Sequence, residues 1–281
     1  MSTALGFSVP ARDDALGAIR LREWVHFLLL PLASLGSGRS LGGELVSVLR
    51  GAGIAFCLLA FGYLLNALAD REMDGDSRRA LPNEAARLRS VARLPPVFAV
   101  LALVLAATAP WPVWIATVVC VASGWAYSTG PRLKARPLLG SALNVTNFVP
   151  LLFLGLSSDA LPLGMLALAG VFGCLLLQNQ LLHEAADVEA DRRGRVHTTF
   201  LLLGPKGSAC LALLLGVAAA VPSLRLALDT AGPAAIGVTV LVLPSLVLFP
   251  IWLGRRGADS QSMARARALH RGASLLLGAA L

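Results

Sequence analysis

Long apolar stretches recur along this 281-residue chain, and they restrict its fold more than any other feature. Crossing the hydrocarbon core of a bilayer as a helix takes roughly 20 predominantly apolar residues. Nine stretches are candidate spans, at about 22–36, 48–69, 94–110, 112–128, 139–156, 161–183, 207–222, 233–253 and 268–281. None shows the strict alternation of a membrane β-barrel strand. Composition agrees: 56% of the residues are hydrophobic and 14% are charged, against about 25% charged in soluble domains. The expectation is an all-α, polytopic membrane bundle of about nine transmembrane helices, forming one domain over residues 1–281.

The formal net charge of +8 reads as membrane topology and not as a nucleic-acid surface. Of the 24 basic residues, 21 fall in the N-terminal segment and in the loops after the second, fourth, sixth and eighth spans; Arg39, Arg50 and Arg225 fall on the other side. Cytoplasmic loops carry the Lys/Arg excess. The N-terminus and these loops are therefore expected in the cytoplasm, with the chain in the cell (inner) membrane. Residues 1–20 include Asp13 and Asp14 and lack an apolar core with a cleavage site, so no signal peptide is expected. The four cysteines, Cys57, Cys120, Cys174 and Cys210, sit in apolar stretches without metal-ligand spacing and read as reduced packing residues.

Topology does not account for the acids. Eight of the 16 acidic residues lie in two short windows, Asp70–Asp76 and Glu184–Asp191. In each, a polar residue is followed by Asp four and then eight positions later: Asn66, Asp70, Asp74 and His183, Asp187, Asp191. Residues four apart share one helix face, and like charges there destabilise an isolated helix. Two such pairs at a membrane boundary call for a cation. Carboxylates with oxygen-only surroundings suit Mg²⁺, which keeps waters and is completed by substrate phosphates. Facing Asp pairs with nearby basic residues imply a diphosphate held through Mg²⁺. A metal that stabilises the departing diphosphate lets its bond to carbon ionise, and an apolar bundle behind it keeps water away.

At these residues the sequence resembles the UbiA superfamily of intramembrane prenyltransferases, a nine-helix family with the motifs N-D-x-x-D-x-x-x-D and D-x-x-x-D. The first corresponds to Asn66-Ala67-Leu68-Ala69-Asp70 through Asp74, and the second to Asp187 through Asp191, continuing to Arg192, Gly194 and Thr198. Tyr127-Ser128 with Arg132-Leu133-Lys134 resembles the family's segment after the fourth span, and Arg20 to Trp24 its entry to the first helix. The resemblance covers essentially the whole chain. It implies that Asp70, Asp74, Asp187 and Asp191 bind Mg²⁺. It also implies that Asn66, Arg79, Lys134, Arg20 and Arg132 serve the diphosphate. Ala67 stands where the family has its first Asp, and Leu21 and Ala80 replace prolines.

The implied partners are a prenyl diphosphate substrate and membrane lipid, and the fate of the prenyl group stays open. Most of the family transfers it to an aromatic or other lipophilic acceptor, whereas UbiA-type terpene cyclases close the chain on itself. Polar residues at membrane depth face cavities or the bundle interior. Tyr63, Tyr127, Asn144, Asn179 and His183 are therefore candidates for an acceptor pocket, with Gln178, Gln180 and Glu184 beside them. A cation or lipid-phosphate transporter is the non-enzymatic alternative. Against it, the acidic windows sit at helix ends and no matched pair of broken spans appears.

Overall fold

The computed structural model describes residues 19–35, 41–71, 85–130, 132–193, 196–230, 233, 236–243, 246 and 260–281. Every regular element among them is helical, and none is a strand. α1 (Leu21–Trp24) is one turn that continues as a 3-10 helix, Val25–Ser34. Then follow α2 (Leu41–Ala69), α3 (Ala85–Ala92), α4 (Leu94–Ala106) and α5 (Trp111–Ser128). A 3-10 turn, Leu133–Ala135, leads into α6 (Leu139–Phe148), which tightens to 3-10 over Val149–Phe153. The chain continues through α7 (Leu163–Ala186), α8 (Val188–Arg193), α9 (Thr199–Thr230) and, after helical residues at 236–243, α10 (Ser260–Ala280).

Among the described residues four helices are long and apolar enough to cross a membrane: Gly42–Ala69, Leu88–Ala106, Leu163–Ala186 and Thr199–Asp229. These four do not confirm the expected count of about nine, and local features account for part of the difference. The stretch at 22–36 contains Pro31, which cannot donate the i→i−4 bond, and it winds as a 3-10 helix. The stretch at 139–156 divides where Pro150 enters the 3-10 segment. Most of 233–253 lies outside the described residues. α9 begins eight residues before the expected span at 207. The sequence Gly204-Pro205-Lys206 reads as a loop, but only Gly204 leaves helical geometry (φ 66°, ψ 175°), and the helix resumes immediately after it.

One core is built from α1, α2, α4 and α5, with Trp24, Ile54, Leu64, Ala102, Val113 and Leu154 buried in it. A second joins α7, α9 and α10 through Leu182, Phe200, Ala212 and Met263. Small residues let helices approach where lipid supplies no hydrophobic drive. Gly155 is the tightest such point, since a Cβ there would lie 2.2 Å from the Pro31 carbonyl oxygen. Ser34 Oγ secures the same contact by donating to the Leu152 carbonyl at 3.1 Å. Trp24 is fully buried, donates its indole N–H to the Ile19 carbonyl at 2.7 Å and meets Phe56 edge-on. On the outside, Leu45, Val46 and Leu49 of α2, Val97, Val100 and Val104 of α4, and Leu214, Val217 and Val221 of α9 are exposed. Contiguous apolar faces of this kind belong against acyl chains, and the protein is an integral membrane protein.

Candidate active site

The first acidic window sits where α2 ends. Asp70 is the residue after the helix, and its N–H still reaches the Asn66 carbonyl at 3.0 Å. Both carboxylate oxygens of Asp70 face cations: Lys134 Nζ at 2.5 Å from Oδ2 and Arg132 Nη2 at 3.1 Å from Oδ1. Lys134 Nζ also donates to Asn66 Oδ1 at 2.8 Å. Lys134 and Asp70 are mostly withdrawn from solvent, whereas Arg132 is more open. Low solvent exposure makes the first pair the stronger of the two. Asp74 and Arg79 lie outside the described residues.

The second window straddles a helix break. The continuous helix expected through 183, 187 and 191 stops at Ala186. Asp187 takes φ −98°, ψ 6°, and α8 restarts at Val188. Backbone bonds nevertheless bridge the break, from Asp187 N–H to His183 O at 3.0 Å and from Asp191 N–H to Asp187 O at 2.9 Å. The four-residue register thus survives at the backbone while the helix redirects. His183 Nδ1 lies 2.9 Å from Asp187 Oδ2. Burial pushes the Asp191 carboxyl up to about 6; the neighbouring Asp187 and Glu184 carboxylates add to the rise and His183 opposes it. Crowded carboxylates of this kind favour a bound cation.

The two windows meet in one cavity of about 430 Å³. Of the residues expected at the site, Asn66, Asp70, Tyr127, Arg132, Lys134, Gln180, His183, Glu184, Asp187 and Asp191 line it. Arg20 does not: its guanidinium makes a two-point contact with Glu23 (3.0 and 2.8 Å) and lies 5.6 Å from the centre of the Tyr63 ring. Tyr63 packs by Trp24, away from the lining. Asn144 is turned to Gln180, donating to Oε1 at 3.2 Å, and Asn179 also stands off the lining.

Several lining residues carry no motif. Arg136 adds a further cation to the wall, and Ser141 and Thr199 bring hydroxyls from α6 and α9. Thr198-Thr199 before an apolar run is a helix-start signal, and Thr198 does accept from the Leu201 N–H at 3.4 Å. That signal marks a cap and says nothing of a cavity.

The donor set fits a hard cation. It offers carboxylates from two helix ends and an amide oxygen, the ligand type Mg²⁺ prefers. Among the described residues no three His, Cys, Asp or Glu side chains converge tightly enough to hold an ion on their own. An ion here would be completed by water and by an anionic substrate.

The sequence model of the UbiA prenyltransferase family matches residues 27–272. Comparison with curated proteins gives no match. Among solved structures, a digeranylgeranylglyceryl phosphate synthase of membranes aligns with a TM-score of 0.77 at 16% identity, over 95% of both chains. A UbiA homologue from Archaeoglobus fulgidus, bound to DMAPP and Mg²⁺, gives 0.66 at 19% identity, over 95% of this chain and 100% of that one. An apo UbiA homologue from Aeropyrum pernix K1 gives 0.62 at 20% identity, over 91% and 96%. At these identities the likeness is one of fold.

Proposed function

The chain belongs to the UbiA prenyltransferase family, and from that premise we propose that it ionises a prenyl diphosphate in this cavity and passes the prenyl group to an aromatic or other lipophilic acceptor. The observation that carries the reading is the meeting of Asp70, Asp187 and Asp191 with Lys134 and Arg132 around one space. Relatives of the same fold hold DMAPP or GPP with Mg²⁺, which supports Mg²⁺ as the ion here. The cavity then faces the cytoplasm of the cell membrane, on the side of the basic loops.

Asp70, Asp187 and Asp191, with Asn66 and with Asp74 from outside the described residues, would hold the ion. When bound, it supplies charge neutralisation of the diphosphate leaving group. Lys134 and Arg132 donate to diphosphate oxygens, and Arg79 is proposed for the same role. These donors stabilise negative charge as the bond between the allylic carbon and oxygen breaks and its electron pair leaves with diphosphate. Tyr127 is the aromatic side chain lining the cavity, and an aromatic face attracts a developing carbocation. An acceptor nucleophile then forms the new bond and loses a proton.

The test uses protein in nanodiscs with Mg²⁺ and prenyl diphosphates of increasing length, first without acceptor and then with phenolic, quinone-precursor and lipid acceptors. Diphosphate release that needs both Mg²⁺ and an acceptor, and is lost in Asp70→Ala and Asp187→Ala, is the expected result. A discrete terpene formed without acceptor would reassign the enzyme as a cyclase. Release at the wild-type rate by either Asp variant would overturn the metal-site assignment.

A further inference from the structure

Glu184 is buried in α7, one turn before Asp187. Among the described residues no ion pair involves it. Donors from three helices meet its carboxylate instead. Ser141 Oγ of α6 and Gln180 Nε2 of α7 each donate to Oε1 at 3.1 Å. The Phe200 N–H, an orphan donor in the first turn of α9, reaches Oε2 at 2.8 Å.

The chain of hydrogen bonds continues outward with a fixed direction. The Leu138 N–H donates to Thr199 Oγ1 at 2.9 Å. Thr199 can then give its hydroxyl proton to Ser141 Oγ, 2.8 Å away, and Ser141 gives its own to Glu184. Such a chain closes only on a group that accepts.

Leu138 ends the loop that carries Arg132 and Lys134. Arg132 is left-handed (φ 47°, ψ 53°) and Leu138 also takes a positive φ (63°, ψ −46°), backbone that non-glycine residues keep only where the surroundings hold them there. On the inner side, a Cβ on Gly140 would lie 2.8 Å from the Lys134 carbonyl oxygen and 3.2 Å from its Cα. Those are backbone atoms, so no rotamer change relieves the contact.

We propose that Glu184 is a positioning residue that, through Ser141 and Thr199, clamps the strained Arg132–Leu138 loop to α7 and so sets the distance between the site's cations and its second acidic window. Glu184 lines the cavity wall, yet its carboxylate already accepts three protein donors, and through them it acts on the loop that carries Lys134. The functional consequence rests on the diphosphate reading above; the clamp itself does not.

Two readouts separate them. Amide exchange over residues 132–140, read by mass spectrometry, reports the clamp without any ligand. Calorimetry with Mg²⁺ and inorganic diphosphate reports the site. In Glu184→Gln an amide NH₂ faces donors, and in Thr199→Val the hydroxyl is gone while the shape stays. Both should speed loop exchange, and Thr199→Ser should restore slow exchange. Both should weaken diphosphate binding about tenfold, the scale of one buried unsatisfied group. The double variant should bind no more weakly than the weaker single, because the two residues act as one unit. Unchanged loop exchange in both variants overturns the clamp. So does a loss of binding confined to Glu184→Gln with Thr199→Val intact, which would make Glu184 a direct ligand. Faster exchange in the variants of a protein that never binds diphosphate would keep the clamp and sink the functional reading.

Discussion

Asp70 is where the site's first acidic window meets its cations. Its oxygens, and Asn66 Oδ1, are taken up by Lys134 and Arg132, so a cation arriving alone meets a position already neutralised. Under the proposed function, an arriving diphosphate would draw both basic groups toward itself and release the carboxylate for Mg²⁺. Mg²⁺ alone should therefore bind weakly, and inorganic diphosphate should tighten it; by linkage Mg²⁺ must tighten diphosphate by the same factor. Lys134→Met is expected to strengthen binding of Mg²⁺ alone and to weaken that of diphosphate, each about tenfold, the scale of a hydrogen bond to a charged group. Titration calorimetry reads both signs. If the variant weakens both ligands, Lys134 is a structural partner of Asp70 and exchanges with nothing.

At the scale of elements, the site depends on how helices end. α2 stops at Ala69, α7 breaks at Asp187 and α9 opens at Thr199; these ends, with the 132–141 segment, carry the groups that line the cavity. Their relative positions rest on close helix contacts, and Gly155 tests that. Gly155→Ala would drive a methyl into the Pro31 backbone carbonyl, which no rotamer change can move away, and should cost about 1–3 kcal/mol, as overpacking does. Gly170→Ala is the control, since nothing lies within 4 Å of a Cβ there. In mid-helix it should be neutral or add up to about 1 kcal/mol from helix propensity. Thermal unfolding in detergent compares the two. Equal melting temperatures would mean that the Val25–Ser34 segment moves aside freely.

For the whole molecule, the distribution of basic residues makes an orientation prediction. Arg193 and Ala160 are both exposed, at opposite ends of the α7 region. In intact cells a membrane-impermeant maleimide should label Ala160→Cys, while Arg193→Cys should need permeabilised cells. The reverse pattern would put the cavity on the outer face and remove the cytoplasmic assignment. The same two-sided design explains the exposed apolar faces of α2, α4 and α9, which need lipid; transfer to water without detergent should aggregate the protein.

The sequence by itself determined the membrane class, the helical content and the two acidic windows, because run length and four-residue spacing are local properties that no packing can undo. It also marked Asn66, Asp70, Lys134, Asp187 and Asp191, which the fold does bring to one cavity. Only the tertiary structure decided that Asp187 would break its helix, that Arg20 would turn to Glu23 and Tyr63, and that the first apolar stretch would wind as a 3-10 helix. It also decided that Ser141, Thr199 and Glu184 would join three helices. Those outcomes depend on which donors, carbonyls and side-chain volumes meet across helices far apart in the chain. Periodicity along one segment carries no information about that meeting.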